Sequence, residues 1–228
     1  MSMKNRELDV GGLKPIQYKK QLDEEFNKNF NIYEIIGHSF YYLGFNLKDE
    51  KFKDKKIREA ISLLVDRDEI IDVILFGYGR LSRGPFLEGS IGYPPDIPSP
   101  TKDVEKAKEI LKSLGYDEHN RFSFQISVPS GGNGKYIAEL IQYQLKNANV
   151  DVSIKSMEWQ AFLNTVIEPK RFETVLMGWS TPLMPNPRTI WHSESNKKGG
   201  FNFISYENKI VDTLIDEAEK ETDQKILG

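Results

Sequence analysis

The chain has 228 residues, 39% hydrophobic and 29% charged, with a formal net charge of -3 at pH 7. That suffices for a sizeable core, and the mixed, slightly acidic charge provides no basic patch of the kind that nucleic-acid binding needs. Cysteine is absent, which excludes thiol catalysis, zinc–thiolate sites and disulfides without fixing a compartment.

No apolar run approaches the about 20 residues needed to span a membrane. The start, Met1-Ser2-Met3-Lys4-Asn5-Arg6, lacks the apolar stretch of a signal peptide. Met1-Ser2-Met3 reads as an added start, and Lys225-Ile226-Leu227-Gly228 follows a helical pattern directly. Both ends are expected to be cuts in a longer protein.

Leu22, Phe26 and Phe30 recur every fourth residue, so part of 15–36 is expected to be one helical face. The aromatic run His38 to Leu47 reads as a strand. Asp54 is expected to cap a helix burying Ile57, Ala60, Ile61 and Leu64. Asp66 or Asp68 starts another, with Ile70, Ile71, Ile74 and Leu75 on one face and Gly77 at its end. Residues 84–100 carry five prolines and three glycines, a long irregular segment of the sort that usually serves function or wraps a surface.

Thr101 or Asp103 opens a helix with Val104, Ala107, Ile110, Leu111 and Leu114, stopped at Gly115. Phe122, Phe124, Ile126 and Val128 alternate strictly, which predicts a strand over 121–128. A Gly-rich turn at 130–134 leads into a helix with Ile137, Leu140, Ile141, Leu145 and Ala148, and Val150, Val152 and Ile154 alternate again. Strand, helix and strand with short links predict a βαβ unit with parallel strands and a right-handed crossover. A short helix at Trp159, Phe162, Leu163 and Val166 precedes a strand from Phe172 to Gly178. The helix at 207–223 is expected to turn Ile210, Val211, Leu214, Ile215 and Ala218 inward. One α/β lobe over residues 1–228 is the expected architecture, with a mixed, mainly parallel sheet flanked by helices.

Few motifs carry chemistry. Gly131-Gly132-Asn133-Gly134-Lys135 sits where a phosphate loop would, but Pro129 and Tyr136 stand where that motif requires glycine and serine or threonine. Ser130 with His192 downstream admits an α/β serine hydrolase as the alternative function, although Val128 occupies the first glycine position of a nucleophile elbow. His38, His119 and His192 lie far apart, and neither a metal nor another cofactor is expected. The three tryptophans, Trp159, Trp179 and Trp191, all fall between Glu158 and Ser193. Trp179 leaves a buried strand at its carboxyl end, where parallel sheets place ligands; a core residue and a ligand wall are equally compatible with that position.

Taken in order, these segments resemble the extracytoplasmic solute-binding proteins of peptide-type ABC importers, the oligopeptide, dipeptide and nickel group. The resemblance rests on Tyr41 to Asn46 (YYLGFN), Phe52 to Ile61 followed by Val65-Asp66-Arg67-Asp68-Glu69-Ile70, and Leu75 to Gly79. Asp103 to Tyr116, Glu158-Trp159, the strand into Gly178-Trp179, Ile190-Trp191-His192-Ser193 and Asn202 to Asp212 complete it. It covers most of residues 8–224.

The resemblance implies a type II periplasmic-binding-protein-like fold and a substrate-binding, non-enzymatic role. Whole members have two lobes joined by a hinge, and this chain looks like the C-terminal lobe without the N-terminal lobe and the final return segments. The implied protein is a monomeric lipoprotein, extracytoplasmic and tethered by a lipid anchor outside this stretch, that delivers peptides or related small solutes to ABC permease transmembrane subunits. The implied ligand-binding residues are Trp159, Trp179, Ser180, Thr181, Met184, Asn186 and Trp191. Where peptide binders keep an aspartate for the peptide ammonium, this chain has Pro182, and where some carry an arginine it has Leu176. Met184 and Asn186 stand where other relatives place acids. A different peptide register or a ligand without that charge follows, since a buried unpaired charge costs several kcal/mol, on the order of 3–5.

Overall fold

The computed structural model describes residues 3–5, 7–93, 96–98, 101–182 and 186–221. In chain order its elements are α1 (Pro15–Gln21), α2 (Glu24–Asn29), β1 (Ser39–Phe45), α3 (Glu50–Lys53), α4 (Lys55–Leu64), α5 (Arg67–Ile74), α6 (Val104–Ser113), β2 (Phe122–Pro129), α7 (Gly134–Lys146), β3 (Val150–Met157), α8 (Trp159–Phe162), a π-helical turn (Leu163–Ile167), β4 (Thr174–Ser180), α9 (Arg188–Trp191), a 3-10 turn (Ser193–Ser195) and α10 (Lys209–Ala218). Two compact units emerge: residues 1–37 with 67–81, and residues 38–66 with 82–228.

The smaller unit is helical. The helical face read over 15–36 is two short helices, because Asp23 adopts an extended backbone and accepts the Phe26 N–H as the cap of α2. Phe26 is buried and stacks on Phe30 at 4.6 Å. The α5 pattern is present but shallow: no residue of that helix is fully buried. Gly77 does end it, its N–H reaching the Ile71 carbonyl at 3.0 Å.

The larger unit is built on a four-stranded sheet in the order β1-β4-β2-β3. β2 runs parallel to both β3 and β4, while β1 is antiparallel to β4. The mixed, mainly parallel sheet and the β2-α7-β3 unit are as expected from the alternation. Helix signals also hold: Asp54 caps α4, and Asp103 caps α6. At the other end of α6, Tyr116 N–H bonds the Leu111 carbonyl around Gly115, whose φ of +88° suits glycine.

Each face of the sheet carries its own core. On one, Phe122, Phe124, Ile126 and Val128 are buried with Leu176 and with Ile137 and Ile141 of α7. Phe52, fully buried, lies 5.1 Å from Phe45, 6.0 Å from Phe122 and 5.7 Å from Phe124. On the other face, Val175 and Met177 pack with Phe162, Val166, Ile167 and Phe172, and Tyr42, Met157, Leu163 and Phe203 close the rim. β4 is therefore buried on both sides at Thr174–Met177.

One expectation fails on α10. Only Ile215 is buried there, while Ile210 is 73% and Leu214 58% exposed and Ala218 is also exposed. The amphipathic pattern exists, but among the described residues the neighbours cover just one position of it. Of the irregular segment at 84–100, the described residues contain neither helix nor strand; Pro94, Pro95 and Pro100 lie outside them.

Phe52→Ala should lower the unfolding free energy by about 3–5 kcal/mol, because three aromatic side chains, Phe45, Phe122 and Phe124, lose their shared neighbour and a cavity is left. Urea unfolding followed by far-UV circular dichroism measures this; a loss below about 1 kcal/mol would mean that the first core does not depend on this ring.

Candidate functional site

The pleat sends alternate residues of a strand to opposite faces. Tyr42 lies opposite Met177 and Phe40 opposite Trp179 across the β1–β4 ladder, so Met177 and Trp179 share the face of the second core. Trp179 is the next-to-last residue of β4 rather than a residue beyond it. Its ring sits over Phe203, stacked at 5.8 Å and 14°, and meets Phe201 edge-on at 5.8 Å and 86°. Beneath it, burial pushes the Tyr42 phenol well above its ordinary range, an effect opposed by the neighbouring Trp179 side chain.

Trp159 begins α8, capped by the Glu158 carboxylate, which accepts from Gln160 and Ala161 N–H. It is 48% exposed and stacks on Phe162, a member of the same core that supports Trp179. Trp191 instead meets Tyr206 edge-on at 5.9 Å. The three tryptophans thus share no aromatic partner, and two of them border one core. Ser180 ends β4 opposite Ser39, and Thr181 extends the ladder through its N–H to the His38 carbonyl at 2.8 Å. Met184 lies outside the described residues.

The segment after 186 is held by ions. The Asn186 side chain accepts the Arg188 N–H and donates to Glu219. Arg188 reaches three carboxylates: Nε to Glu219 at 2.7 Å, one terminal nitrogen to Glu194 at 3.1 Å, and the other to Asp216. These partners hold the guanidinium above even its usual range, Asp216 contributing most. His192 is 5% exposed; Nδ1 accepts the Glu194 N–H, and Nε2 faces Asp216 at 3.5 Å and Asp212 at 4.0 Å. Nδ1 is taken by the Glu194 N–H, while Nε2 is buried without a hydrogen-bond partner among the described residues and faces Asp216 and Asp212 rather than a serine. Ser130 itself is an exposed turn residue whose N–H bonds the Met157 carbonyl. The serine hydrolase alternative therefore gains no support.

The loop carrying Phe201 and Phe203 was not singled out by sequence reasoning, although Gly199-Gly200 followed by two aromatics around Asn202 is a signal. Asn202 is fully buried: its amide donates to the Tyr206 carbonyl at 2.8 Å and the His192 carbonyl at 3.3 Å, and its oxygen accepts Tyr206 N–H. Lys170 reaches in to bond Asn196, the Asn202 carbonyl and the Ser205 hydroxyl; desolvation lowers its pKa. At Gly200 a Cβ would lie 2.1 Å from the Ser195 carbonyl oxygen, so only glycine fits.

Two carboxyls of the ionic segment are held below their ordinary range, Asp212 chiefly by the Ser193 backbone N–H and Glu219 chiefly by Arg188. Folding thus favours their charged forms. That contribution is complete above the unfolded carboxylate range, about 4, and is lost as pH falls through the lower folded values. Arg188, His192, Glu194 and Asp216 are the charged or titratable groups facing them. Lowering the pH from about 6 to about 2 should release the packing of Trp191, seen in near-UV circular dichroism. Arg188→Gln should move that release to higher pH; an unchanged midpoint would show that Arg188 does not set it.

The statistical profile of the family described as bacterial extracellular solute-binding proteins, family 5 Middle, matches residues 1–201. The oligopeptide-binding protein AppA of Bacillus subtilis is 33% identical over 216 residues, 89% of this chain and 39% of that protein. The dipeptide-binding protein of Escherichia coli is 29% identical over 157 residues, 68% of this chain and 29% of that protein. The solved structure of Bacillus subtilis AppA in complex with a nonapeptide superposes with a TM-score of 0.84 at 29% identity, over 99% of this chain and 47% of that one. The chain therefore spans less than half the length of the relatives it matches, and its sheet and helices have the type II periplasmic-binding-protein-like fold. A profile match running through residues 1–201, joined to this fold, makes the chain a member of the bacterial extracellular solute-binding proteins of family 5.

Proposed function

We propose that this chain is the C-terminal ligand-binding lobe of a longer, two-lobed receptor that captures peptides or related small solutes and hands them to the permease of an ABC importer. The observation that carries the reading is the exposed aromatic surface at the carboxyl end of β4: Trp179 with Phe201 and Phe203, and Trp159 bordering the same core. Ligands of parallel α/β sheets lie at that end of the strands. Relatives named as oligopeptide- and dipeptide-binding proteins support a peptide-like cargo.

The mechanism is a clamp without bond chemistry. The second lobe closes over a ligand resting on the tryptophans, and the closed form is stabilised by contacts that neither lobe makes alone. The permease then distinguishes closed from open. A receptor of this type works outside the cytoplasm as a monomer, tethered through a lipid anchor beyond this stretch. Ser180, Thr181, Met184, Asn186 and Trp191 complete the proposed ligand-facing set. Among them the Asn186 amide is already spent on Glu219 and on the Arg188 N–H, which assigns it to shaping the loop before any contact with ligand.

Pro182 and Leu176 offer no charge to a peptide terminus. The ammonium group of a peptide ligand is therefore neutralised by the other lobe or remains in solvent.

In the full-length receptor, titration with pentaalanine should change tryptophan fluorescence, and Trp179→Phe should weaken binding by about fivefold to tenfold, a loss of roughly 1 kcal/mol. Unchanged affinity in that variant would remove Trp179 from the ligand wall. The 228-residue chain alone should bind the same peptide at least about a hundredfold more weakly, since half of the enclosing contacts are missing. Equal affinity in calorimetry would refute the clamp.

A further inference from the structure

We infer that Phe201 is a specificity-determining residue: with Trp179 and Phe203 it forms a three-ring pocket that selects an uncharged apolar or aromatic side chain of the ligand. The inference rests on the proposed receptor role and goes beyond it by naming the residue and the chemistry it selects.

The three ring centroids are mutually 5.8, 5.8 and 5.9 Å apart, with Phe201 nearly perpendicular to both partners. Phe203 is packed against the second core, but Phe201 remains 50% exposed. Its exposure is imposed by the loop. Gly200 is pressed against the Ser195 carbonyl, Asn202 is buried and triply hydrogen-bonded, and Lys170 ties the Asn202 carbonyl to Asn196 and Ser205. A short turn, Phe203 N–H to the Phe201 carbonyl at 2.9 Å, fixes the backbone between the two aromatics. A ring held half in water by constraints on both sides is preorganised for a contact, because its ordering cost is met before any partner arrives.

The chemistry of that partner follows from the charges nearby. Arg188 is the sole charged residue between 179 and 191, and all three of its nitrogens are engaged with Glu219, Glu194 and Asp216. A charged ligand group placed among the rings would lose its water and gain no counter-charge from this segment. An apolar group would lose nothing polar and gain ring contacts, preferentially stacked or edge-on.

The test uses full-length receptor and a pentaalanine host in which Phe, Leu, Asp or Lys replaces each alanine in turn, with dissociation constants from calorimetry. At one position Phe should bind about tenfold tighter than Ala, while Asp and Lys at that position bind more weakly than Ala. Phe201→Ala should reduce the Phe-over-Ala ratio to below about threefold, whereas Phe201→Leu should retain an intermediate ratio. Thermal unfolding of both variants checks that the loop survives, and if Phe201→Ala does not fold the Phe201→Leu ratio decides. A Phe-over-Ala ratio unaltered in both variants overturns the inference. So does equal binding of Phe- and Ala-bearing peptides at every position, an outcome that leaves the peptide receptor standing. If no peptide of the set binds, the receptor reading fails and the inference falls with it.

Discussion

Strand β4 has neighbours on both edges and packed side chains on both faces, and the positions of the other elements follow from that. A strand so enclosed must satisfy every backbone group in the ladder and bury consecutive residues rather than alternate ones. Thr174-Val175-Leu176-Met177 does this, with Thr174 donating its hydroxyl to the Gln125 carbonyl. At its entry, Asn46 bonds the Phe172 carbonyl and Glu173 receives both Lys51 and the Gln125 N–H. The strand is thereby pinned where it enters the sheet, and its other end carries Trp179.

That arrangement separates the first core from the aromatic surface proposed to hold ligand. The first core, centred on Phe52, lies on the face away from Trp179. The second core, with Val175 and Met177 at its middle, is the floor on which Trp179, Phe203 and Trp159 rest. In the proposed receptor these rings sit on the edge of a packed core, so they would need no ordering when a ligand arrives. The π-helical turn at Leu163–Ile167 serves the same floor, burying Val166 and Ile167 in succession beneath the sheet.

Much of this was legible from the residues. Alternation at 122–128 and 150–154 gave two strands and the parallel unit, and aspartates at 54 and 103 marked the helix starts. The period of four at Leu22, Phe26 and Phe30 was misleading about continuity, because a local Asp23 cap outweighs a weak helical face. The apolar stripe of α10 misled in another way. Periodicity reports what a helix could bury, whereas burial depends on what is packed against it, and the described residues leave Ile210 and Leu214 mostly exposed. His192 looked like a free catalytic candidate and proved to be a buried member of an ionic segment.

By itself the sequence determined much of the local order of the chain: the strands, several helix starts, and that one of the three tryptophans stands at the end of a strand. Those are properties of neighbours within a few residues, governed by pleat, pitch and capping. Only the tertiary structure decided which aromatics meet. Trp179 is joined by Phe40 across the ladder from the neighbouring edge strand and by Phe201 and Phe203 from a loop more than twenty residues later. Their convergence depends on strand register, on the bare Cα of Gly200 and on the buried bonds of Asn202 and Lys170. These are long-range constraints, and a linear pattern does not display them.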